Sequence, residues 1–456
     1  MSFISVKFLV FISAFLLFYI ITESSDSKQN YLILFGNYIF YSLIDIRFSL
    51  VLFLISIFTW YITSKIEICK NKYLLFAGIS LNIGVLLCFK YIGLFMDVGE
   101  KYGIVMPIGL SFYVFEAVSL LIDTYNGKMN GKTSLLDVLI YLSFFPIVIS
   151  GPIMKARDFL PQIHKSRRIN QVNFENGLQR FVLGTFEKVV VADRLAISVA
   201  AVYSAPAAYS GVSLLWNSLS YTLQLFFDFA GYSNMAIGLA TILGFSIGEN
   251  FNLPYIAKTP SEFWRRWHIS LSSWITEYVY IPLGGNRRGR IRTYINIMTA
   301  MLISGIWHGS TLNFLLWGSG HGIIQVIQKI IEEKTQKKCR NYQHVINAVS
   351  TVITFVIINF LWIPFRTTDL SMTGLVFKRI FTNAKGLLYL YSYTFIFGVM
   401  LLAVEIYAIT KNGGNNPIKP LNLRSFKGKF IFVTMVFVTL MFAYFGNSAF
   451  IYGAMF

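Results

Sequence analysis

The stretch INIMTAMLISGIWHGSTLNFLL, residues 295–316, decides the fold class: it is apolar enough to lie in a bilayer, yet it carries an ionisable imidazole, His308, near its middle. A hydrocarbon core of ~30 Å needs about 20 apolar residues in helical conformation. Ionisable groups are expensive at that depth, so an imidazole there marks a functional site by default. A second histidine, His268, ends another aromatic-rich segment, FWRRWH, residues 263–268. Together the two point to chemistry inside a membrane.

The rest of the chain agrees. Of its 456 residues 55% are hydrophobic, 17% aromatic and only 13% charged, with a mean hydropathy of +0.60. That is far more apolar than a soluble globular protein. Apolar runs recur at 3–21, 31–43, 49–62, 73–95, 104–122, 135–153, 178–203, 214–245 (broken at Gly231), 295–312, 314–331, 345–365, 387–410 and 430–446. They predict an all-α polytopic membrane protein of about eleven spans. The runs 31–43 and 49–62 are short, and read as either re-entrant or tilted. The first run contains Lys7 but no small-residue cleavage site, so it reads as a retained span.

The formal charge of +18 raises nucleic acid as a partner, but the basic residues sit in short loops rather than along one face. That is the positive-inside pattern, with membrane lipids as the contact. It places the loops 155–168, 287–292 and 411–429 in the cytoplasm. From Arg292 one span leads out and the next returns to the basic stretch 329–340; the last span leaves the C-terminus outside. Cys69, Cys88 and Cys339 lack metal or disulfide spacing, and no metal site is expected. No polar stretch is long enough to fold alone, so residues 1–456 read as one integral membrane domain.

Residues 250–292 break the alternation of span and loop. Thr259-Pro260-Ser261-Glu262 is a capping box with Pro at the first helical position, so a helix should start at Pro260. Trp264, Trp267, Leu271, Trp274 and Tyr278 form one stripe at helical spacing, and Arg266, Ser270, Ser273 and Glu277 another. Such a helix is too polar to cross lipid alone and is interfacial or re-entrant. The segment Pro282 to Asn286 ends it.

EFWRRWHISLS (262–272), YIPLGGN (280–286), GIWHG (305–309), Trp317-Gly318 and His321-Gly322 resemble the membrane-bound O-acyltransferase (MBOAT) family. The likeness is greatest to its alginate- and peptidoglycan-acetylating subgroup. It continues upstream through PIGLSFY (107–113), FFP (144–146), SGPI (150–153), LPQ (160–162), DFAGYS (228–233) and NFNLPY (250–255), and is dense over residues 100–325. Asn234 and Thr276-Glu277 depart from the family pattern, which usually has Asp at the first and Arg-Asp at the second.

The resemblance implies a ring of helices with re-entrant or interfacial segments around a central tunnel. It makes His308 the catalytic base, able to take a proton from an acceptor hydroxyl as that oxygen attacks a thioester. Trp307 would line the tunnel, and Gly309 would leave room for substrate. His268 is the family's second characteristic histidine, orienting substrate or holding structure; His321 reads as structural. Arg265 and Arg266 either pair with the phosphates of an acyl-CoA or anchor the helix to lipid head groups. Asn313 is a further donor-binding candidate.

Glu116 and Asp228, acids within or beside apolar runs, need partners. Phe450-Ile-Tyr452 resembles the ending of this subgroup, so Tyr452 is either an acyl relay or an interface anchor. The implied function is O-acetylation of a cell-envelope polysaccharide. Acetyl would come from cytoplasmic acetyl-CoA, through a multi-pass protein of the bacterial inner membrane, with an exported SGNH-type acetyltransferase as partner. The rival reading is a non-catalytic transporter or scaffold subunit, although the paired broken helices and inverted repeats of transporters are not evident.

Overall fold

The computed structural model describes residues 2–23, 25–95, 105–129, 131–165, 167–334, 343–411 and 420–444. Among them the chain is helical, with one isolated bridge pairing Tyr209 and Leu387. Its described residues divide into two compact units: those of 1–185 with 232–248, and those of 186–231 with 249–444.

The first unit holds α1 (Val6–Ile21), α2 (Asp26–Ser42), α3 (Ile46–Cys69), α4 (Lys72–Phe95), α5 (Leu110–Tyr125), α6 (Leu135–Ser143), α7 (Ala156–Ile163) and most of α8 (Gln171–Phe186). Side-chain caps from Ser5, Ser25 and Asp45 start the first three, each accepting from a backbone N–H of the first turn. The core is aromatic: Phe145 meets Phe11, Phe15 and Phe40 at centroid distances of 5.5, 5.3 and 5.6 Å. Buried acids are satisfied locally. Glu116 accepts from the Met154 N–H at 3.1 Å, and Asp123 pairs with Arg157 at 3.1 Å. The loop expected to be cytoplasmic folds back on itself: buried Arg167 donates to the carbonyls of Gln162 and Ile163, both at 3.0 Å, and to the Asn30 side chain.

In the second unit come a π-helical turn (Glu187–Ala192), α9 (Asp193–Ser204), and α10 (Gly211–Ile242), which the unit boundary divides at Gly231. Then follow α11 (Pro260–Arg266), α12 (Ile269–Ile275), a second π-turn (Thr276–Tyr280), α13 (Arg290–His308), α14 (Leu312–Lys334), α15 (Gln343–Arg366), α16 (Leu370–Phe381), α17 (Ser392–Lys411) and α18 (Phe426–Phe442). Helices α13 and α14 form an antiparallel hairpin whose seam needs glycine. A Cβ on Gly305 would meet the Phe314 carbonyl oxygen at 2.3 Å, and one on Gly318 the Met301 oxygen at 2.5 Å. Small residues are the usual means of bringing membrane helices this close.

Several sequence expectations change. The run 49–62 is the middle of the 24-residue helix α3 and is not short. Helix α10 runs unbroken through Gly231 for 32 residues, about 48 Å at 1.5 Å per residue. The run 135–153 is helical only to Ser143 and continues as buried turns, while 178–203 is interrupted by the first π-turn. Helix α16, capped by Asp369, lies between two of the apolar runs and is short and amphipathic. Among the described residues four helices are long and apolar enough to cross a membrane: α3, α4, α10 and α15.

Candidate functional site

Thr259 caps α11 as its sequence requires, its hydroxyl accepting from the Glu262 N–H at 3.1 Å. The Glu262 carboxylate accepts from the Lys258 N–H at 2.9 Å and pairs with Arg266 one turn on at 2.9 Å. Arg266 also donates to the Asn252 carbonyl at 3.0 Å. The expected continuous helix does not follow. Trp267 is extended and His268 adopts a left-handed backbone, φ 42° and ψ 55°, before α12 begins. For a non-glycine residue this costs about 1–3 kcal/mol and persists only where surroundings impose it.

Asn250 imposes it. Its carbonyl accepts from the Ile269 N–H at 2.9 Å, and its side-chain Oδ1 accepts from the Ser270 N–H at 3.3 Å and the Ser270 hydroxyl at 2.7 Å. The same Oδ1 lies 3.2 Å from His268 Nδ1. Because a backbone N–H can only donate, that Asn250 atom is the amide oxygen, and His268 Nδ1 must carry the proton. The lone pair of the neutral ring is therefore on Nε2. His268 is fully buried, edge-on to Phe229 at 4.7 Å and 5.8 Å from the Trp307 ring.

His308 closes α13 rather than lying halfway along a span, and the chain turns at 309–311 into α14. Three rings wall it: Trp307 at 4.8 Å, Trp317 at 4.9 Å and Phe365 at 5.2 Å. Trp307 thus touches both imidazoles. Gly309 does not open space for substrate as expected, since a Cβ there would strike the Phe314 ring at 2.0 Å. The turn also returns His321 to the same aromatic cluster, 4.8 Å from Trp317. His321 Nδ1 accepts from the Trp264 indole N–H at 3.2 Å, so its Nε2 carries the proton and its basic nitrogen is occupied. That arrangement suits the structural reading of His321.

The remaining candidates separate. Arg265 is exposed, whereas Arg266 spends its donors on Glu262 and Asn252. Asn313 is buried and donates to the Thr367 carbonyl at 2.7 Å, tying the start of α14 to the end of α15. Asp228 and Asp193 flank buried Lys188 at 2.5 and 2.6 Å. Asn234, where the family usually has Asp, still accepts from Arg180 at 2.8 Å. Tyr452 lies outside the described residues. Sequence reasoning missed Phe365 and Trp362 as walls of the cluster, because both read as ordinary residues of an apolar run; Asn250 stood in a quoted motif but without its role.

The structure thus places two buried imidazoles against one tryptophan, His268 at 5.8 Å and His308 at 4.8 Å from the Trp307 ring. Comparison with known proteins gives the chain a family. Residues 127–365 match the model of the membrane-bound O-acyltransferase family. The probable alginate O-acetylase AlgI of Pseudomonas syringae pv. tomato is 34% identical over 377 residues, covering 79% of this chain and 71% of the relative. The peptidoglycan O-acetyltransferase of Helicobacter pylori is 32% identical over 378 residues, 74% and 71% of the two chains. The teichoic acid D-alanyltransferase of Bacillus subtilis is 27% identical over 276 residues, 58% and 68%. With the family model spanning more than half of it and the helices and histidines in place, the chain belongs to the membrane-bound O-acyltransferase family and is a multi-pass membrane acyltransferase.

Proposed function

We propose that this protein, a single membrane domain of residues 1–456, transfers acetyl from cytoplasmic acetyl-CoA toward a cell-envelope polysaccharide, across the bacterial inner membrane. His308 takes the proton of the acceptor hydroxyl as its oxygen attacks the thioester carbonyl. The carbon–sulfur bond then breaks, and the departing thiolate takes that proton from the imidazolium to leave as free thiol. His268 accepts a hydrogen bond at Nε2 and orients the reacting group. Arg265, exposed beside the site's helix, contacts the donor's phosphates; Arg266 holds that helix's geometry, and Trp307 and Asn313 shape the donor cavity. The observation that carries the reading is the pair of buried imidazoles on either side of Trp307, one with its tautomer set by Asn250.

Relatives named as alginate O-acetylase and peptidoglycan O-acetyltransferase support acetyl as the group moved and an envelope polymer as its destination. An exported SGNH-type acetyltransferase completes transfer to the sugar, and Tyr452 relays the acyl group to it. The test is reconstitution with acetyl-labelled acetyl-CoA: release of free CoA with label passing to an acceptor is expected, and a transporter or scaffold would release none. In the same assay Tyr452→Phe, which has no hydroxyl to take the acetyl, is expected to keep label off both protein and polysaccharide; polysaccharide acetylation at the wild-type level would reject the relay.

Asn250→Ala is expected to lower turnover about 10- to 100-fold, since the imidazole loses its imposed proton position and its ring is free to misplace by an ångström. Asn250→Asp keeps an acceptor at the same place and is expected to lose much less. Equal losses in steady-state CoA release from the two variants would reject tautomer control.

A further inference from the structure

Helices α13 and α14 leave an open groove of about 320 Å³ between them, walled by Ile295, Met298 and Leu302 on one side and by Ile323, Val326 and Ile327 on the other. Its polar members offer nothing to a polar guest. Thr299 Oγ1 donates back to the Ile295 carbonyl at 2.9 Å, and the Tyr294 hydroxyl donates to Glu333 at 3.0 Å. Such a lining suits an apolar occupant. From Tyr294 to Leu302 the helix rises about 12 Å at 1.5 Å per residue, most of the ~15 Å hydrocarbon depth of one leaflet. The groove therefore has the length of the upper part of a lipid acyl chain.

One end of the groove carries charge. One turn before Tyr294, Arg290 pairs with Glu333 at 3.3 Å. Arg290 belongs to RRGRIR, residues 287–292, four arginines in six residues with no acid. All four are exposed, and among the described residues only Arg290 of the four has a carboxylate partner. By the charge pattern this end faces the cytoplasm. An apolar slot of leaflet length with a cationic rim is complementary to an inner-leaflet phospholipid of net negative charge. A partner helix would fill the slot but leave the arginines uncompensated, and a zwitterionic lipid cancels its phosphate with its own amine. We propose that an anionic phospholipid seats here, with one acyl chain between α13 and α14 and its phosphate among Arg287, Arg288 and Arg290. The occupant braces the hairpin that ends its first helix at His308.

The test is native mass spectrometry of the delipidated full-length protein in detergent, titrated with dioleoylphosphatidylglycerol or dioleoylphosphatidylcholine. The first phosphatidylglycerol is expected to bind about tenfold tighter or better than the first phosphatidylcholine. Replacing Arg287, Arg288 and Arg290 together with glutamine, all at exposed positions, is expected to erase that preference. Ile323→Trp fills the groove from an exposed position and leaves every arginine in place, so it is expected to weaken the first phosphatidylglycerol severalfold. It carries the test if the arginine variant does not fold. Equal affinity for the two lipids, or an undiminished preference in the arginine variant, overturns the seat. Full-strength binding by Ile323→Trp reduces the arginines to a surface charge and overturns the groove. Displacement of the lipid by free CoA at equal concentration assigns the arginines to the donor's phosphates and overturns the lipid. A lipid-free dimer that Ile323→Trp dissociates makes the groove an interface between copies and overturns it as well. No acyl transfer occurs in this titration, so its outcome stands apart from that of the labelled assay.

Discussion

Replacing His308 with glutamine is expected to reduce acetyl transfer at least about 100-fold while the protein still inserts and folds, the range seen when a positioned general base is lost. Glutamine is preferable to alanine as the decisive variant. His308 stands between the rings of Trp307, Trp317 and Phe365, and truncating it to a methyl group would open a cavity among them. Glutamine nearly fills the volume and can hydrogen-bond, but it takes no proton at neutral pH. A structural role would therefore survive the substitution and a basic one would not. The readout is release of free CoA from acetyl-CoA by purified protein, with thermal unfolding beside it. Transfer within twofold of wild type at equal stability would reject the base assignment. His268→Gln should also lose activity, but less, because it is assigned to orientation.

The helical class and the residues of the candidate site were legible because both depend on local pattern. Apolar runs of bilayer length predict helices wherever lipid withholds partners from the backbone. The capping box at Thr259 predicted the start of α11 to the residue. The expectations that changed depended on contacts distant in sequence. Trp264 to Tyr278 carry helical spacing, yet the helix breaks at His268 because Asn250 supplies both a carbonyl and an amide oxygen to the residues beyond it. No periodicity within 260–281 encodes that. Gly231 looked like a breaker, but within a long apolar helix there is no water to compete for the freed backbone, and α10 continues. His308 and His321 are thirteen positions apart, and an unbroken helix would put them on different faces. The turn at 309–311 makes them neighbours of one Trp317.

Lys188→Met is expected to destabilise the protein by about 3–5 kcal/mol, the penalty for leaving buried charge without its counter-charge. Lys188 lies in the π-turn between α8 and α9, where the extra backbone residue per turn marks a departure from plain helix. Its ammonium meets Asp193 at 2.6 Å and Asp228 at 2.5 Å, all three residues being buried. Methionine reproduces the length of the stem but not the charge, so two buried carboxylates would lose the ammonium they share. Asp228 belongs to the DFAGYS segment, and the ion pair accounts for an acid there without invoking catalysis. The measurement is the unfolding midpoint of the purified protein in detergent, followed by size-exclusion monodispersity. Adding Asp193→Asn and Asp228→Asn to Lys188→Met should recover most of the loss, because a neutral cluster needs no counter-charge. Recovery of stability together with acetyl transfer would make the cluster structural. If stability returned but transfer did not, an acid of the cluster would be required for turnover; an unchanged midpoint in Lys188→Met alone would reject the buried ion pair.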